Sequence, residues 1–254
     1  MEIKYNKEIW YVISVLVLIA GVSSTMVSLS PKLSNKYESP MIIITLTLSI
    51  INMLMIIRIA VINPGTLIKM TNPPEEPVRI IEVFGNTILL KTCSTCNIIK
   101  PPRAHHCKIC NVCIDRRDHH CHWVANCIGR NNHRMFIFLL FFLVVQCVFT
   151  IGNSIYMIAW IVTDTGLYII ESVLIAIGVL CLWHIGGLLI YHTFLIFTNQ
   201  TTYEHKKTVF PSGNPFYKSF FKNCTLFWKM VPEENIKEQK PESPAGETQT
   251  NNIP

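Results

Sequence analysis

The chain has 254 residues, of which 50% are hydrophobic and 15% charged, with a formal net charge of +6. Soluble domains carry about a quarter charged residues. Here the apolar residues fall into four long blocks, with the charge between and after them. An ordinary soluble globule is excluded, disorder is disfavoured, and a small multi-span membrane protein is indicated.

A bilayer core needs about 20 apolar residues of helix. Residues 9–29 form the first block that meets this and residues 41–62 the second. Residues 1–62 are therefore expected to hold a cytosolic N-terminus and two transmembrane spans. Lys4 and Lys7 before the first block, and Ser23 and Ser24 within it, also resemble a signal peptide. Its apolar run continues past Met26 and is longer than such a peptide's core. Cleavage would leave the side of the following segment unchanged.

Residues 63–134 are expected to be a cytosolic linker and a Cys-rich domain. Seven of the ten cysteines lie between Cys93 and Cys127, mixed with histidines. The order is Cys93-x-x-Cys96, His105-His106-Cys107-x-x-Cys110-x-x-Cys113, Asp118-His119-His120-Cys121 and Cys127. In a reducing compartment such pairs indicate zinc rather than disulfides. Two tetrahedral zinc sites take about eight ligands. Seven Cys and up to six neighbouring His are available, so some are surplus. Spacing alone leaves the pairing open, including the case in which every Cys is a ligand. The segment is poor in large apolar residues, so metal must supply much of its folding free energy, about 10 kcal/mol per site.

Cys121 follows directly after Asp118-His119-His120. A thiol beside a His, with a carboxylate to orient that His, is the makeup of a base-activated nucleophile. Arg116 and Arg117 make the region electropositive, which favours a thiolate.

The third apolar block starts at Met135 and runs to about residue 162, and the fourth covers residues 167–198. Residues 135–198 thus carry the third and fourth spans, 199–232 a cytosolic C-terminal region, and 233–254 a disordered tail rich in Pro, Glu, Thr and Asn. Ten Lys and Arg lie between Asn63 and Arg134 and seven after Thr198, against two in the loop after the first span. Both termini and the Cys-rich segment should therefore face the cytosol. The expected fold is membrane α-helical, with four transmembrane helices and a cytosolic zinc-binding domain between the second and third spans. No internal repeat is read.

Asn199 and Asn223 head Asn-x-Thr sequons on the cytosolic side and are expected to be unglycosylated. Glu171, His184 and His192 are ionisable groups in or near the fourth span, which raises a functional question; Glu171 is expected near water at its lumenal end, and His184 in a deeper interhelical hydrogen bond. Arg58 should snorkel. Cys147 and Cys181 are expected to pack, and Cys224 to pack or to be acylated.

The Asp118-His119-His120-Cys121 run in this frame resembles the DHHC protein S-acyltransferases (palmitoyltransferases). The likeness extends upstream to Pro101-Pro102-Arg103-Ala104-His105-His106-Cys107. Downstream it takes in Trp123, Asn126-Cys127-Ile128-Gly129, Asn132 and Phe136. Thr201-Thr202-Tyr203-Glu204 looks like the family's Thr-Thr-x-Glu motif, and Asn214-Pro215-Phe216 with Asn223 like its C-terminal motif. The resemblance covers roughly residues 9–228. It departs at His122, where Pro is frequent, at Asn63-Pro64-Gly65 in place of Asp-Pro-Gly, and at Ser219 in place of Gly.

The resemblance implies one zinc on Cys93, Cys96, His106 and Cys113 and another on Cys107, Cys110, His120 and Cys127. It implies Cys121 as acyl acceptor, His119 as its base, Asp118 orienting His119, Thr202 bonding Asp118, and Asn223 pinning the C-terminal segment to a span end. Palmitoyl-CoA or another long-chain acyl-CoA is the implied co-substrate in a ping-pong transfer to membrane-proximal cysteines of proteins. Trp123 and Phe136 are the candidates for lining the acyl cavity near the thioester. Lys100, Arg103 and His105 are the candidates for the coenzyme A phosphates. The Pro-Pro-Arg stretch and the non-Pro residue after Cys121 are similar to the branch that acylates Ras-like GTPases, sometimes with an accessory subunit. Endoplasmic reticulum or Golgi is the implied location.

Two other functions fit parts of the pattern. A membrane-anchored RING-type ubiquitin ligase shares spans and zinc ligands, but its ligand order differs and Cys121 would have no role. A zinc-stabilised scaffold without activity sits poorly with an intact Asp118, His119 and Cys121.

Overall fold

The computed structural model describes residues 35–229, apart from Pro77, Phe84, Ile161, Thr163 and Ser212, together with residues 236–238. The expected first span at residues 9–29 and nearly all of the expected tail lie outside the described residues.

Among the described residues, three helices are long and apolar enough to cross a membrane. They are α1 (Asn35–Val61, with the apolar stretch Ile43–Val61), α2 (His133–Trp160) and α3 (Thr165–Thr198). The sequence blocks start later than the helices, because the helices continue into interfacial residues such as His133 and Thr165 that hydropathy does not mark. The N-terminus of α3 is capped by Asp164, whose side chain accepts the Leu167 N–H at 3.1 Å. α1 packs on α2, with a short polar ladder inside the contact. Asn52 Nδ2 donates to Gln146 Oε1 at 2.7 Å, and Gln146 Nε2 donates to Ser49 Oγ at 3.0 Å.

Between α1 and α2 the chain forms small antiparallel hairpins. β1 (Val78–Val83) pairs β2 (Asn86–Cys93), which pairs β3 (Ile98–Ile99). β4 (His105–Cys107) pairs β5 (Val112–Ile114), and β6 (His119–Cys121) pairs β7 (Asn126–Ile128). A 3₁₀ turn at His122–Val124 joins the last two. After α3 come the short helix α4 (Thr202–Lys206) and α5 (Phe220–Lys229), and β8 (Ile236–Glu238) lies on the free edge of β1.

The hairpins expose a repeat of 14 residues that the sequence reading overlooked. Residues 90–103, 104–117 and 118–131 align as three units, in which Cys93, Cys107 and Cys121 are equivalent. Cys96, Cys110 and Val124 are equivalent too, and each is followed by a left-handed residue: Asn97 (φ 51°), Asn111 (φ 53°) and Ala125 (φ 48°). His106 matches His120, and Cys113 matches Cys127. The repeat is short and diverged, and it is visible because three turns bend the same way.

Helix ends need partners for their last carbonyls, and asparagines supply them. Asn126 Nδ2, on β7, donates to the carbonyls of Ile59 and Ile62 at 2.8 Å each, seating the third unit on the end of α1. Asn223 Nδ2 donates to the Phe197 carbonyl at 2.7 Å, pinning α5 to the end of α3. Asn214 Nδ2 takes the Thr198 carbonyl at 2.8 Å. The Asn63 side chain accepts the Gly65 and Thr66 N–H groups and so shapes the turn after α1. Gly129 closes this junction: a Cβ there would stand 2.6 Å from both Ile114 Cγ2 and the Pro64 carbonyl.

Candidate active site

Register places the donors. His106 faces Cys113 across β4–β5, and His120 faces Cys127 across β6–β7. The Cys-x-x-Cys turn of the preceding unit completes each set. The sulfurs of Cys93, Cys96 and Cys113 lie 3.5, 3.4 and 3.9 Å from His106 Nδ1. Those of Cys107, Cys110 and Cys127 lie 3.7, 3.3 and 3.5 Å from His120 Nδ1. A tetrahedral ion with bonds of about 2.3 Å to sulfur and about 2.1 Å to nitrogen holds those atoms about 3.6 Å apart. Both four-donor sets fit such an ion and could each hold a metal. The ion would tie neighbouring units together where they have little apolar core.

The repeat also shows which sulfur is surplus. Cys121 leads the third unit, as Cys93 and Cys107 lead the first two, but the second knuckle position is Val124 and the chain then enters α2. Cys121 belongs to neither donor set. It is buried in the apolar cluster where the helix ends meet the hairpins, with Ile56, Ile59, Phe136, Leu140 and Ile196.

Two residues before it, His119 Nδ1 lies 2.6 Å from Asp118 Oδ2. That bond leaves Nε2 as the ring atom for a thiol. Burial opposes a charged His119, but the hydrogen bonds and charges of Asp118 and Cys121 outweigh it, raising the imidazole to about 9. Asp118 is 1% exposed. Burial opposes its charge as well, yet His133 and His119 hold the carboxyl well below the ordinary range. Phe136 meets the His119 ring edge-on, with centroids 5.3 Å apart.

Several expected contacts differ in kind. Thr202 does reach Asp118, but through its backbone N–H, which donates to Oδ1 at 2.8 Å. Its Oγ1 is buried without a partner. Arg103 is held in a buried ion pair. Its guanidinium forks onto Glu204, with 2.7 Å contacts from Nε and Nη2, bonds Asn199, and lies 4.5 Å above the Phe216 ring. His105 is stacked on Tyr203 at 3.8 Å, and burial lowers it to about 4, so it is neutral at pH 7. Lys100 is half-buried and, with Lys91, lines a groove of about 590 Å³ beside β2. Trp123 is 56% exposed among the described residues, whereas Phe136 is buried. Glu171 is fully buried rather than at water, and His184 is exposed and shows no hydrogen bond among the described residues. The buried histidine of α3 is His192.

Glu204, Asn199, His133 and His192 were missed as site residues. Glu204 was signalled, because Thr201 and Glu204 form a capping box at α4: each side chain bonds the other's backbone N–H. Nothing in the local sequence marks His133, and His192 was marked only as an ionisable group in the fourth apolar block.

The family model of the DHHC palmitoyltransferases matches residues 86–209. That span includes every donor above, Asp118, His119, Cys121 and Glu204. Residues 86–209 carry a DHHC palmitoyltransferase domain. The probable protein S-acyltransferase 2 of Arabidopsis thaliana is 30% identical over 188 residues, covering 69% of this chain and 45% of that protein. The probable protein S-acyltransferase 3 of the same plant is 36% identical over 170 residues, 61% of this chain and 40% of that one. The human palmitoyltransferase ZDHHC14 is 29% identical over 172 residues, 61% of this chain and 34% of that one. The matches thus span less than half the length of these relatives. In DHHC terms, the named motif is the first strand of the third unit, β6, extended by one residue.

Proposed function

We propose that this protein is an integral-membrane protein S-acyltransferase. It moves a long-chain acyl group, palmitoyl first, from acyl-CoA through a thioester on Cys121 to cysteine thiols of membrane-proximal proteins. The observation that carries this is the 2.6 Å Asp118–His119 pair beside a thiol that neither donor set uses.

The two steps balance. His119 takes the Cys121 proton, the thiolate attacks the acyl-CoA thioester carbonyl, and coenzyme A leaves as a thiolate that takes this proton from His119. A protein thiol then gives its proton to His119 and displaces Cys121 from the acyl-enzyme. Asp118 steadies the imidazolium in both steps. Four donors of each set would hold zinc, which supplies a rigid frame and no chemistry on the substrate. Residues 9–29 would add a fourth span, with the Cys-rich units on the cytosolic side of an endomembrane.

Burial of Cys121 among the apolar helix ends supports a lipid chain entering from the bilayer. Each buried CH₂ contributes about 0.8 kcal/mol, so a sixteen-carbon acyl tail binds strongly while coenzyme A stays in water. Incubation with labelled palmitoyl-CoA should give a hydroxylamine-labile label that Cys121→Ser lacks. An equally labelled Cys121→Ser would refute the assignment.

A further inference from the structure

Asp118 has more neighbours than the DHHC motif names. His133, the first residue of α2, and His192, on α3, are 3% and 1% exposed and lie beside its carboxylate. One donor atom from each of Asp118, His133 and His192 falls within 4.8 Å of the other two. His133 Nε2 is 3.8 Å from Asp118 Oδ1, the oxygen that His119 does not use. The rings are held by aromatic edges: His133 against Phe227 at 5.2 Å and 90°, His192 against Phe136 at 5.2 Å and 74°, and the two histidines against each other at 5.7 Å. His192 also meets His119, with centroids 5.8 Å apart.

Both ring nitrogens of His133 and Nδ1 of His192 are buried without a hydrogen-bond partner. Buried imidazole nitrogens this close to a carboxylate call for an explanation. A divalent ion is one candidate. The surroundings oppose it, since Arg116 acts on His133 and the α2 N-terminus places its positive end at the same spot. Both features favour an anion with neutral donors around it.

We propose that His133 and His192 are positioning residues for the acyl transfer proposed above. Each turns an N–H toward Asp118 Oδ1, directly or through one shared water. The three corners of a triangle with 4.8 Å sides lie about 2.8 Å from its centre, a hydrogen-bond distance. Together with the Thr202 N–H they hold the carboxylate in the plane that presents Oδ2 to His119. Through His133 and His192, α2 and α3 thereby reach the catalytic pair, and the helices set the orientation of a base that sits on a hairpin.

The test uses His133→Phe and His192→Phe, which keep a ring for the aromatic contacts and remove the N–H groups, and His133→Gln, which restores a donor. Three readouts are taken on the full-length protein. The first is the single-turnover acylation rate with palmitoyl-CoA and its dependence on acyl-CoA concentration. The second is the rate at which iodoacetamide alkylates the Cys121 peptide, followed by mass spectrometry, which needs no acyl-CoA. The third is zinc per chain. His133→Phe should slow acylation and alkylation about tenfold with an unchanged KM, His192→Phe less, and His133→Gln should recover most of the loss. In an Asp118→Asn background, His133→Phe should have no further effect. Zinc should stay at the parent's value in every variant.

Unchanged alkylation and acylation in both Phe variants would overturn the proposal, as would an equal loss in the Asp118→Asn background. Release of metal by His133→Phe would overturn it in favour of a third ion. A parent that alkylates as described yet never takes palmitate would sink the acyltransferase reading and leave the positioning role standing.

Discussion

The Cys-rich units and helices α1–α3 adjoin in sequence but are held by different means. In the units, hairpins of three-residue strands meet few large side chains, and two sets of Cys and His donors decide where each turn lies. In the helices, backbone groups are satisfied within each helix, and many large apolar side chains, such as Ile43, Phe138 and Trp183, face outward. Asp118, His119 and Cys121 lie at the seam. Their strand is fixed by His120 and Cys127, while their surroundings are Phe136, His192 and Thr202 from the helical side. One region supplies rigidity, and the other supplies the apolar wall and the orientation of the carboxylate. The two contributions should be separable.

The largest effect should come from metal removal. A strong chelator should abolish acylation and make Cys93–Cys127 reactive toward thiol reagents, because each site is worth about 10 kcal/mol of folding free energy. Helicity by circular dichroism should stay close to its starting value. Loss of helicity in step with metal would show that the two regions fold as one.

A smaller effect is expected where the regions are tied by Arg103 and Glu204. Glu204→Gln leaves a buried guanidinium without its anion and should cost about 3–5 kcal/mol, read as a lower Tm in detergent. This pair also sets a pH dependence. Burial alone would raise Glu204, but Arg103 holds it below the ordinary value. Its stabilisation is therefore complete above the unfolded pKa of about 4.3 and is lost as pH falls below it. The parent's Tm should fall toward pH 3 more steeply than that of Glu204→Gln. Parallel slopes would mean that the pair contributes little.

The smallest effect belongs to the intramembrane ladder. Gln146→Leu removes two hydrogen bonds between α1 and α2, and such bonds average about 0.6 kcal/mol. Acylation and zinc content should not change. A loss of zinc in this variant would show that the helical contact sets the hairpins.

These differences in how the regions are held also explain what the sequence disclosed. Metal donors act over three to twenty residues, so the Cys and His spacing announced a metal-binding domain, and the family resemblance supplied a pairing that the donor distances fit. Hydropathy gave the helices but not their contacts, because an apolar residue facing lipid and one facing a neighbour look alike. Hence His184, deep in the same block, was expected to bond and is exposed, while His192 is buried beside His119. Arg103 was named for phosphates as a loop cation, and its ion pair could not be read from the sequence. Its partner Glu204 lies 101 residues away, beyond any local pattern. The repeat was legible from Cys93, Cys107 and Cys121 at equal spacing, and was overlooked because its third unit has Val124 where the others have Cys.

That substitution carries the central claim: the third unit freed a sulfur from metal and placed it beside a base. The most direct measurement is Cys121→Ser with two readouts on the same sample, zinc per chain by elemental analysis and palmitate incorporation. Two zinc atoms retained and no hydroxylamine-labile palmitate is the expected result. Loss of a zinc atom, or undiminished palmitate, would contradict it.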